Sequence, residues 1–203
     1  LGGFPTLVFA LPQDGQIVEG QGSIEQTTAT DMVINQDSNK LIADWQSFSI
    51  GNNESVEFKQ PNAGSVALNR VIGQDPSVIL GLLKSNGQVF LSNGSGILFG
   101  QGSQVNVGGL LATTLDIKNE DFLSGNYKFT QDPTRPLSSV INRGLIEASG
   151  YVGLLAPGVE NTGSIVANLG SVGLASGKAA SLDFVGDGLI NFEITEAVDG
   201  DVV

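Results

Sequence analysis

The chain has 203 residues, with nine Lys and Arg against 21 Asp and Glu, and a formal net charge of −12 at pH 7. It contains no histidine and no cysteine, which excludes a Cys/His zinc site, a Ser-His-Asp triad and a cysteine nucleophile. The strong negative charge argues against binding of nucleic acid or anionic membrane surfaces through a basic patch. Hydrophobic residues make up 40% of the chain, so we expect a folded core rather than a disordered acidic chain. No apolar stretch approaches the roughly 18 residues of a membrane-spanning helix, so we expect no membrane insertion.

In chain order, the first feature is an apolar stretch, Leu7 to Leu11, which ends at Pro12 and lacks the basic flank of an intact signal peptide. We expect residues 1–24 to form an N-terminal cap, because an uncovered first layer of strands would invite edge-to-edge aggregation. Trp45 and Phe48 are candidates for filling the core or the cap, and an exposed binding pair is the alternative.

The middle of the chain alternates polar and apolar residues, as in Ser55–Phe58 and Gln104–Val107. Such alternation predicts short strands separated by Gly, Asn and Ser turns. The segment Pro76–Lys84 has apolar residues at helical spacing and fits a short helix as well as a strand. Helical periodicity is otherwise scarce, which favours an all-β fold.

Two motifs repeat along the chain. Gly-x-Val-x-Leu begins at Gly64, Gly87, Gly150 and Gly170, at intervals of 23, 63 and 20 residues, and the long interval is interpreted as three units. Asn-x-Gly-x-Ile begins at Asn142 and Asn161, which are 19 residues apart. Independent motifs that recur about every 20 residues predict stacked structural units.

A unit of about 20 residues made of short strands cannot bury its own apolar face, so the units must stack. Leucine-rich repeats have a similar period, but their L-x-x-L-x-L-x-x-N frame is missing. The sequence therefore predicts a right-handed parallel β-helix with inward Val, Leu and Ile and with glycines at the corners. Asn142 and Asn161 are expected to stack there as an amide ladder.

Residues 118–136 interrupt the repeat with mixed charge, three aromatic residues and two prolines. We interpret them as an excursion from the coil, forming a hairpin against its side. A linker between two domains is less favoured because the repeat resumes afterwards, so residues 1–203 are predicted to be one domain.

Residues 179–203 are expected to form the last coils and a frayed end with a solvated acidic face. Calcium binding around Gly186–Gly188 is the alternative for this acidic segment.

Several ordered blocks between residue 11 and about residue 176 resemble a known family. The blocks are Leu11–Gly20, Trp45–Ile50, Val56–Phe58, Ala67–Val71, Ser85–Leu91, Gly100–Leu110 and Ala112–Ile117. Together they resemble the N-terminal secretion domain of two-partner-secretion exoproteins, the filamentous-haemagglutinin family, and especially its high-molecular-weight adhesin branch. The most specific match is Ser85–Leu91.

The family's Asn-Pro-Asn-Gly-Ile box falls on Asn93, Gly94, Ser95, Gly96 and Ile97, with Gly94 in place of Pro and Ser95 in place of Asn. We expect the turn to be retained, because glycine adopts turn dihedrals freely. These residues form either a box that the transporter recognises or a corner of the β-helix.

The resemblance implies a domain at the N-terminus of a large exported exoprotein, such as an adhesin or haemagglutinin. In this family the domain is recognised in the periplasm by the POTRA domains of a dedicated outer-membrane TpsB-type barrel. The exoprotein then crosses the barrel to be displayed at the cell surface or released, and the domain acts as a template for its folding. The absence of cysteine suits threading through a barrel, and we expect a monomer with no cofactor and no metal.

Two other functional classes are alternatives. Some parallel β-helices are polysaccharide-degrading enzymes with clustered carboxylates, but Gly87–Leu115 contains no charged residue. A free-standing glycan-binding or ice-binding β-helix would show ranks of Thr or aromatic residues at the repeat period. Here only Thr27, Thr28 and Thr30 cluster. We therefore predict secretion targeting without catalysis.

Overall fold

The computed structural model describes residues 11–185 and 189–202, which wind into a coil with a sheet along each of three sides. The first sheet comprises β1 (Gln16–Glu19), β4 (Lys40–Trp45), β6 (Val66–Val71), β9 (Gln88–Asn93), β12 (Gly109–Thr113), β16 (Val152–Ala156) and β19 (Val172–Ser176). The second sheet comprises β2 (Gly22–Gln26), β3 (Asp31–Gln36), β5 (Ser55–Lys59), β8 (Leu82–Ser85), β11 (Gln104–Val107), β15 (Leu145–Ala148) and β18 (Ser164–Ala167). The third sheet comprises β7 (Ser77–Ile79), β10 (Ile97–Phe99), β14 (Ser139–Asn142) and β17 (Gly158–Asn161).

Neighbouring strands in these three sheets are parallel, except that β1 and β2 run antiparallel to β4 and β3. From β7 to β19, each turn of the coil passes from the third sheet to the second and then to the first, as in β7, β8 and β9. The two turns before β7 have named strands only in the second and first sheets, β3 and β4 and then β5 and β6. Short strands of this kind satisfy their backbone hydrogen bonds only by stacking on the previous and the next turn. The predicted parallel β-helix is confirmed.

The inner core fills the coil and follows from the alternation of side chains along each strand. Leu41, Ala67, Val89, Leu110 and Val152 are register neighbours on successive strands of the first sheet, and all five are fully buried. Alignment of apolar side chains from turn to turn therefore gives the coil its continuous interior.

One of the four Gly-x-Val-x-Leu motifs does not belong to this column. Val66 pairs with Gln88, and Leu68 pairs with Phe90, so the motif at Gly64 lies one residue out of register with the motif at Gly87. A one-residue offset moves side chains to the opposite face of a strand. Val66 and Leu68 consequently point away from the coil interior, and the prediction of inward packing was wrong for this motif.

The interval between Gly87 and Gly150 contains two turns of the coil, not the three predicted. In the first sheet β9 is followed by β12 and then directly by β16. The second of these turns is lengthened because the chain leaves the coil after β12 and returns at β14.

The strand pairing of the second and third sheets decides two local expectations. The side chains of Asn142 and Asn161 stack as predicted, with Asn142 Nδ2 donating to Asn161 Oδ1 at 2.9 Å. Pro76–Lys84 contains β7 and β8 and no helix, because its two halves pair with different sheets.

The described part of the predicted N-terminal cap is formed by β1 and β2. Ile17 and Ile24 are half-buried against the inner core, and Leu11 is buried. The antiparallel direction of these strands breaks the parallel stack at this end. Residues 1–10 of the predicted cap lie outside the described residues.

The excursion does not form the predicted hairpin with itself. It contains a short helix, α1 (Asn119–Ser124), followed by β13 (Tyr127–Thr130). Strand β13 pairs antiparallel with β20 (Ala179–Val185), which pairs with β21 (Leu189–Glu196) to give the outer sheet. The interpretation of residues 179–203 as last coils was therefore also wrong. Strand alternation alone does not distinguish a coil strand from a hairpin strand, and long-range pairing with β13 decides the outcome.

The outer sheet and α1 cover the outward face of the first sheet and form a second, outer core. Its buried residues are Ile42, Val66, Leu68, Phe90, Leu111, Leu115, Ile117, Phe122, Phe129, Tyr151, Leu155, Ala180, Leu182 and Ile190. A Cβ at Gly173 would lie 2.4 Å from the ring of Phe192, and one at Gly153 would lie 2.8 Å from Ile190 Cδ1. Glycine at these two outward positions therefore makes room for the hairpin.

Candidate functional site

The predicted box, Asn93–Ile97, is the turn that leads from β9 in the first sheet to β10 in the third. The Asn93 side chain is fully buried, and its Nδ2 donates to the carbonyl of Asp75 and to Ser77 Oγ, both at 3.0 Å. Its Oδ1 accepts from the Ser95 backbone N–H at 2.9 Å. All of these bonds are internal, so Asn93 fastens its own turn to the preceding turn of the coil.

Gly96 and Ile97 continue this inward anchoring. The Gly96 N–H donates to the Asn93 carbonyl at 3.0 Å, and Gly96 has a φ of 111°, which favours glycine. The Ile97 side chain belongs to the inner core and is 2% exposed. Only Gly94 and Ser95 of the box are half-buried and reach the surface.

The outer side of this turn is partly covered by residues that follow β13. Arg135 Nη1 donates to Ser95 Oγ at 3.1 Å, and Ser138 Oγ donates to the Gly94 carbonyl at 2.7 Å. A Cβ at Gly94 would lie 2.6 Å from Arg135 Cδ. The structure therefore brings the box and the end of the excursion together, which the sequence reasoning did not foresee.

Trp45 and Phe48 lie in the inner core, at 0% and 1% exposure, and are not an exposed pair. Their rings meet edge to face with centroids 5.3 Å apart. Trp45 Nε1 donates to Asn69 Oδ1 at 3.0 Å, which satisfies the one polar group of the indole.

Arg70 fixes the start of the excursion to the coil. Its Nη1 lies 3.1 Å from Asp44 Oδ1, and its Nε lies 2.8 Å from Asp116 Oδ1. Its Nη2 also donates to the Ile117 carbonyl at 2.7 Å and to Asn119 Oδ1 at 2.9 Å. Arg70 lies within the Ala67–Val71 block, but nothing in the sequence indicated its partner 46 residues later.

Lys40 holds the middle of the excursion. Its Nζ donates to the carbonyls of Phe122 and Leu123 at 2.9 and 2.8 Å, at the C-terminal end of α1. The same nitrogen lies 5.8 Å from the ring centroid of Phe122 and 5.6 Å from that of Tyr127. Desolvation by burial lowers the pKa of Lys40. Several of the few basic residues are thus used inside the fold, which leaves an acidic surface.

The last turn of the coil exposes residues that are inward-facing in the preceding turns. Val172 and Leu174 are 45% and 51% exposed, whereas their register neighbours Val152 and Leu154 are fully buried. The difference arises because no described strand pairs with the outer edge of β19. This end of the coil, the open rung, presents apolar side chains beside unpaired backbone groups.

Neither a metal centre nor a membrane helix is found in the part of the chain that the structure describes. Across residues 11–185 and 189–202, no group of three or more carboxylates is arranged to hold a metal ion. No helix within those residues is long and apolar enough to cross a bilayer. The calcium alternative at Gly186–Gly188 lies outside the described residues.

Comparison with known proteins gives one consistent result. The model of the TPS secretion domain family matches residues 10–202. Two curated relatives are heme/hemopexin-binding proteins of Haemophilus influenzae. One is 48% identical over 120 residues, 59% of this chain and 13% of that protein, and the other is 42% identical over 174 residues, 82% of this chain and 19% of that protein. The chain thus spans less than a fifth of the length of these relatives.

Two solved structures are similar to the fold. The HMW1 secretion domain from Haemophilus influenzae aligns with a TM-score of 0.84 and 35% identity, over 93% of this chain and 50% of that chain. The filamentous haemagglutinin secretion domain aligns with a TM-score of 0.60 and 16% identity, over 92% of this chain and 68% of that chain, and supports the fold alone.

The coil and the family match therefore lead to one conclusion. The family is not an enzyme family, and it implies export together with a TpsB transporter. The chain belongs to the TPS secretion domain family, the secretion domains of the TpsA exoproteins of two-partner secretion.

Proposed function

We propose that this domain targets its parent exoprotein for export by binding the periplasmic POTRA domains of a dedicated TpsB-type barrel. The observation that carries the proposal is the family match over residues 10–202. The parent would be an adhesin or haemagglutinin that reaches the cell surface or the medium through the periplasm. A folded, acidic domain with a net charge of −12 is compatible with a soluble periplasmic intermediate.

Strand addition is the mode of recognition that the fold favours. Strands β1 and β2 each end a sheet at the capped end of the coil, so each leaves one edge of backbone groups unpaired within the described residues. Such an edge accepts an extended segment of a partner as a further strand. Glu19 and Glu25 lie exposed on these two strands and would favour a basic partner segment.

The decisive experiment measures export of a reporter fused after the domain, in cells with and without the cognate transporter. We expect export only when the transporter is present, and a reporter without the domain gives the background. Equal export in both strains would refute the targeting role. Titration of purified domain with isolated POTRA domains then tests direct binding.

Within this function we propose that the Asn93–Ile97 turn acts as a folded corner whose outer surface is recognised, and that Asn93 itself is not contacted. The support is that both polar atoms of the Asn93 side chain bond inside the domain. An Asn93→Ala variant should therefore lose stability and export together. Loss of export with an unchanged thermal midpoint would instead indicate direct contact with Asn93.

We also propose that the open rung acts as a template for folding of further coil. The support is the exposure of Val172 and Leu174 on β19, because their register neighbours on β16, one turn earlier, are buried. A further turn stacked here would bury both side chains and extend the sheets by one strand each.

An added turn tests the template. A copy of residues 158–176 placed after Val203 should raise the free energy of unfolding by about 2 kcal/mol, the value expected for burying two half-exposed aliphatic side chains. The matched control carries serine at the inward positions of the copy. A copy that stabilises no more than this control would contradict templating, without bearing on transporter recognition.

A further inference from the structure

We propose that Arg135, at the end of the excursion, is a positioning residue that holds the Asn93–Ile97 turn in the form the transporter recognises. The inference rests on the proposed role of that turn. It assigns to the excursion a function that the family resemblance placed in the box alone.

The first observation is the set of bonds that Arg135 makes. Its Nη1 donates to the Gly73 carbonyl at 3.0 Å and to Ser95 Oγ at 3.1 Å, and its Nη2 donates to the Ile72 carbonyl at 3.1 Å. The side chain is only 15% exposed. One guanidinium therefore links the turn after β6 to the turn after β9, and its planar fork suits several fixed acceptors at once.

The second observation is the residue beneath this guanidinium. Gly94 stands where the family box has proline, and a Cβ at Gly94 would lie 2.6 Å from Arg135 Cδ. Proline restricts a turn through its own ring, whereas glycine leaves the chain its greatest conformational freedom. In this chain the restriction comes from outside the turn, through Arg135 and through Ser138, which donates to the Gly94 carbonyl.

The loop that carries Arg135 is itself ordered by Asp132. The Asp132 carboxylate accepts from the Thr134 N–H at 2.9 Å and from Thr134 Oγ1 at 2.7 Å, and it lies 3.7 Å from Arg135 Nε. The guanidinium is thus presented to the turn from a fixed loop, and its charge has a partner at the same corner.

A double-mutant cycle tests the proposal, because a larger residue at position 94 and the Arg135 side chain cannot occupy the same space. Arg135→Ala removes the clamp, and Gly94→Pro supplies an internal restriction but collides with Arg135. Each single variant should therefore disturb the turn, and the double variant should recover, because the ring takes the space that the guanidinium left. Arg143→Ala is the matched control, since Arg143 is 53% exposed and makes a single 3.6 Å ion pair.

Two quantities are measured on the whole domain. The first is amide exchange at Ser95 and Gly96, whose N–H groups bond to Asn93. The second is affinity for isolated POTRA domains of the cognate transporter, with the thermal midpoint followed in parallel. For Arg135→Ala we expect about tenfold faster exchange and about tenfold weaker binding, as for loss of charge-assisted hydrogen bonds. The double variant should return to within about twofold of the original in both quantities.

Unchanged exchange and binding in Arg135→Ala would overturn the inference, as would a double variant no better than either single one. Faster exchange with unchanged affinity would show that the turn is not recognised, and would overturn the positioning role. If the original domain itself fails to bind POTRA domains, the proposed function fails first, while the exchange data still report on the clamp.

Discussion

The inner and outer cores lie on opposite faces of the first sheet, and neighbouring residues of one strand serve both. Leu91 points into the coil and Phe90 points towards the outer sheet. The inner core is assembled from consecutive turns about 20 residues apart, except where the excursion separates Leu110 from its register neighbour Val152. The outer core joins the first sheet to segments much later in the chain, as where Ile42 shares a cluster with Ala180, Leu182 and Ile190. One face therefore forms turn by turn, and the other requires residues from most of the chain.

The two regions also differ in how they are fastened. Stacking of the coil relies on backbone ladders and repeated apolar side chains. The excursion is attached to the coil by cations, namely Arg70, Lys40 and Arg135, which bind carbonyl and carboxylate oxygens. We therefore expect α1 and the outer sheet to unfold locally while the coil stays folded. Substitutions in the outer core and in the inner core distinguish this local unfolding from unfolding of the whole domain.

The largest effect is expected at Phe90, which is fully buried and contacts the rings of Phe122 and Tyr127 at 5.9 and 5.4 Å. Phe90→Ala should cost about 4 kcal/mol, because it leaves a large cavity in the outer core. Hydrogen exchange should accelerate in α1, β13, β20 and β21 before it does so in the coil. Uniform acceleration in both layers would show that they unfold as one unit.

The adjacent inner-core change is the matched partner. Leu91→Ala should cost about 3 kcal/mol through a smaller cavity inside the coil. Here we expect faster exchange across the neighbouring turns, followed by global unfolding in urea at a lower midpoint. A loss confined to the outer sheet would contradict the assignment of Leu91 to the inner core.

Removal of the main anchor should have an intermediate effect. Arg70→Ala leaves Asp44 and Asp116 without their cation and should cost about 2 kcal/mol, since Arg70 is only 16% exposed. Exchange should rise first in α1 and β13. Arg143→Ala, in an exposed ion pair, should change stability by less than about 0.5 kcal/mol in the same urea titration. An equal decrease in the free energy of unfolding for Arg70→Ala and Arg143→Ala would contradict the role of Arg70 as the main anchor of the excursion.

The smallest effect is expected on the loss of stability at low pH. Hydrogen bonds from Ser55, Thr28 and Thr30 lower the pKa of Asp31 on β3, and hydrogen bonds from Thr134 lower that of Asp132 in the excursion. A lowered pKa in the folded state means stability that is present above the ordinary value of 3.8 and is lost as pH falls through the folded value.

Thermal midpoints measured below pH 5 should therefore fall less steeply in Asp31→Asn than in the original domain. Asp132→Asn should instead flatten the pH dependence of amide protection in the excursion, measured as the exchange rate relative to that of the unfolded chain. A slope unchanged by both substitutions would show that these carboxylates do not contribute to acid sensitivity.

The Asn93–Ile97 turn shows which features of the candidate site the sequence predicts and which it does not. Its position and its turn character follow from residue types and from the family resemblance, whereas the inward packing of Ile97 is seen only in the structure. The cover of the turn by Arg135 does not follow from them either, because Arg135 lies 40 residues after Ser95 and has no pattern that links it to the box. Two features of the sequence indicate a covered outward face: apolar residues at outward positions, such as Phe90 and Leu111, and glycine at Gly153 and Gly173 inside the Val-Gly-Leu motifs.

The sequence by itself determined the parallel coil, because a 20-residue period and alternating apolar residues leave stacking as the way to bury them. It also determined the Asn142–Asn161 ladder, since equivalent corners of successive turns must meet. Only the tertiary structure decided the register at Gly64, where a turn is one residue shorter than the motif spacing, and only it decided the outer sheet. Alternation specifies that a strand has an apolar face, but the partner of that face is fixed by contacts distant in sequence.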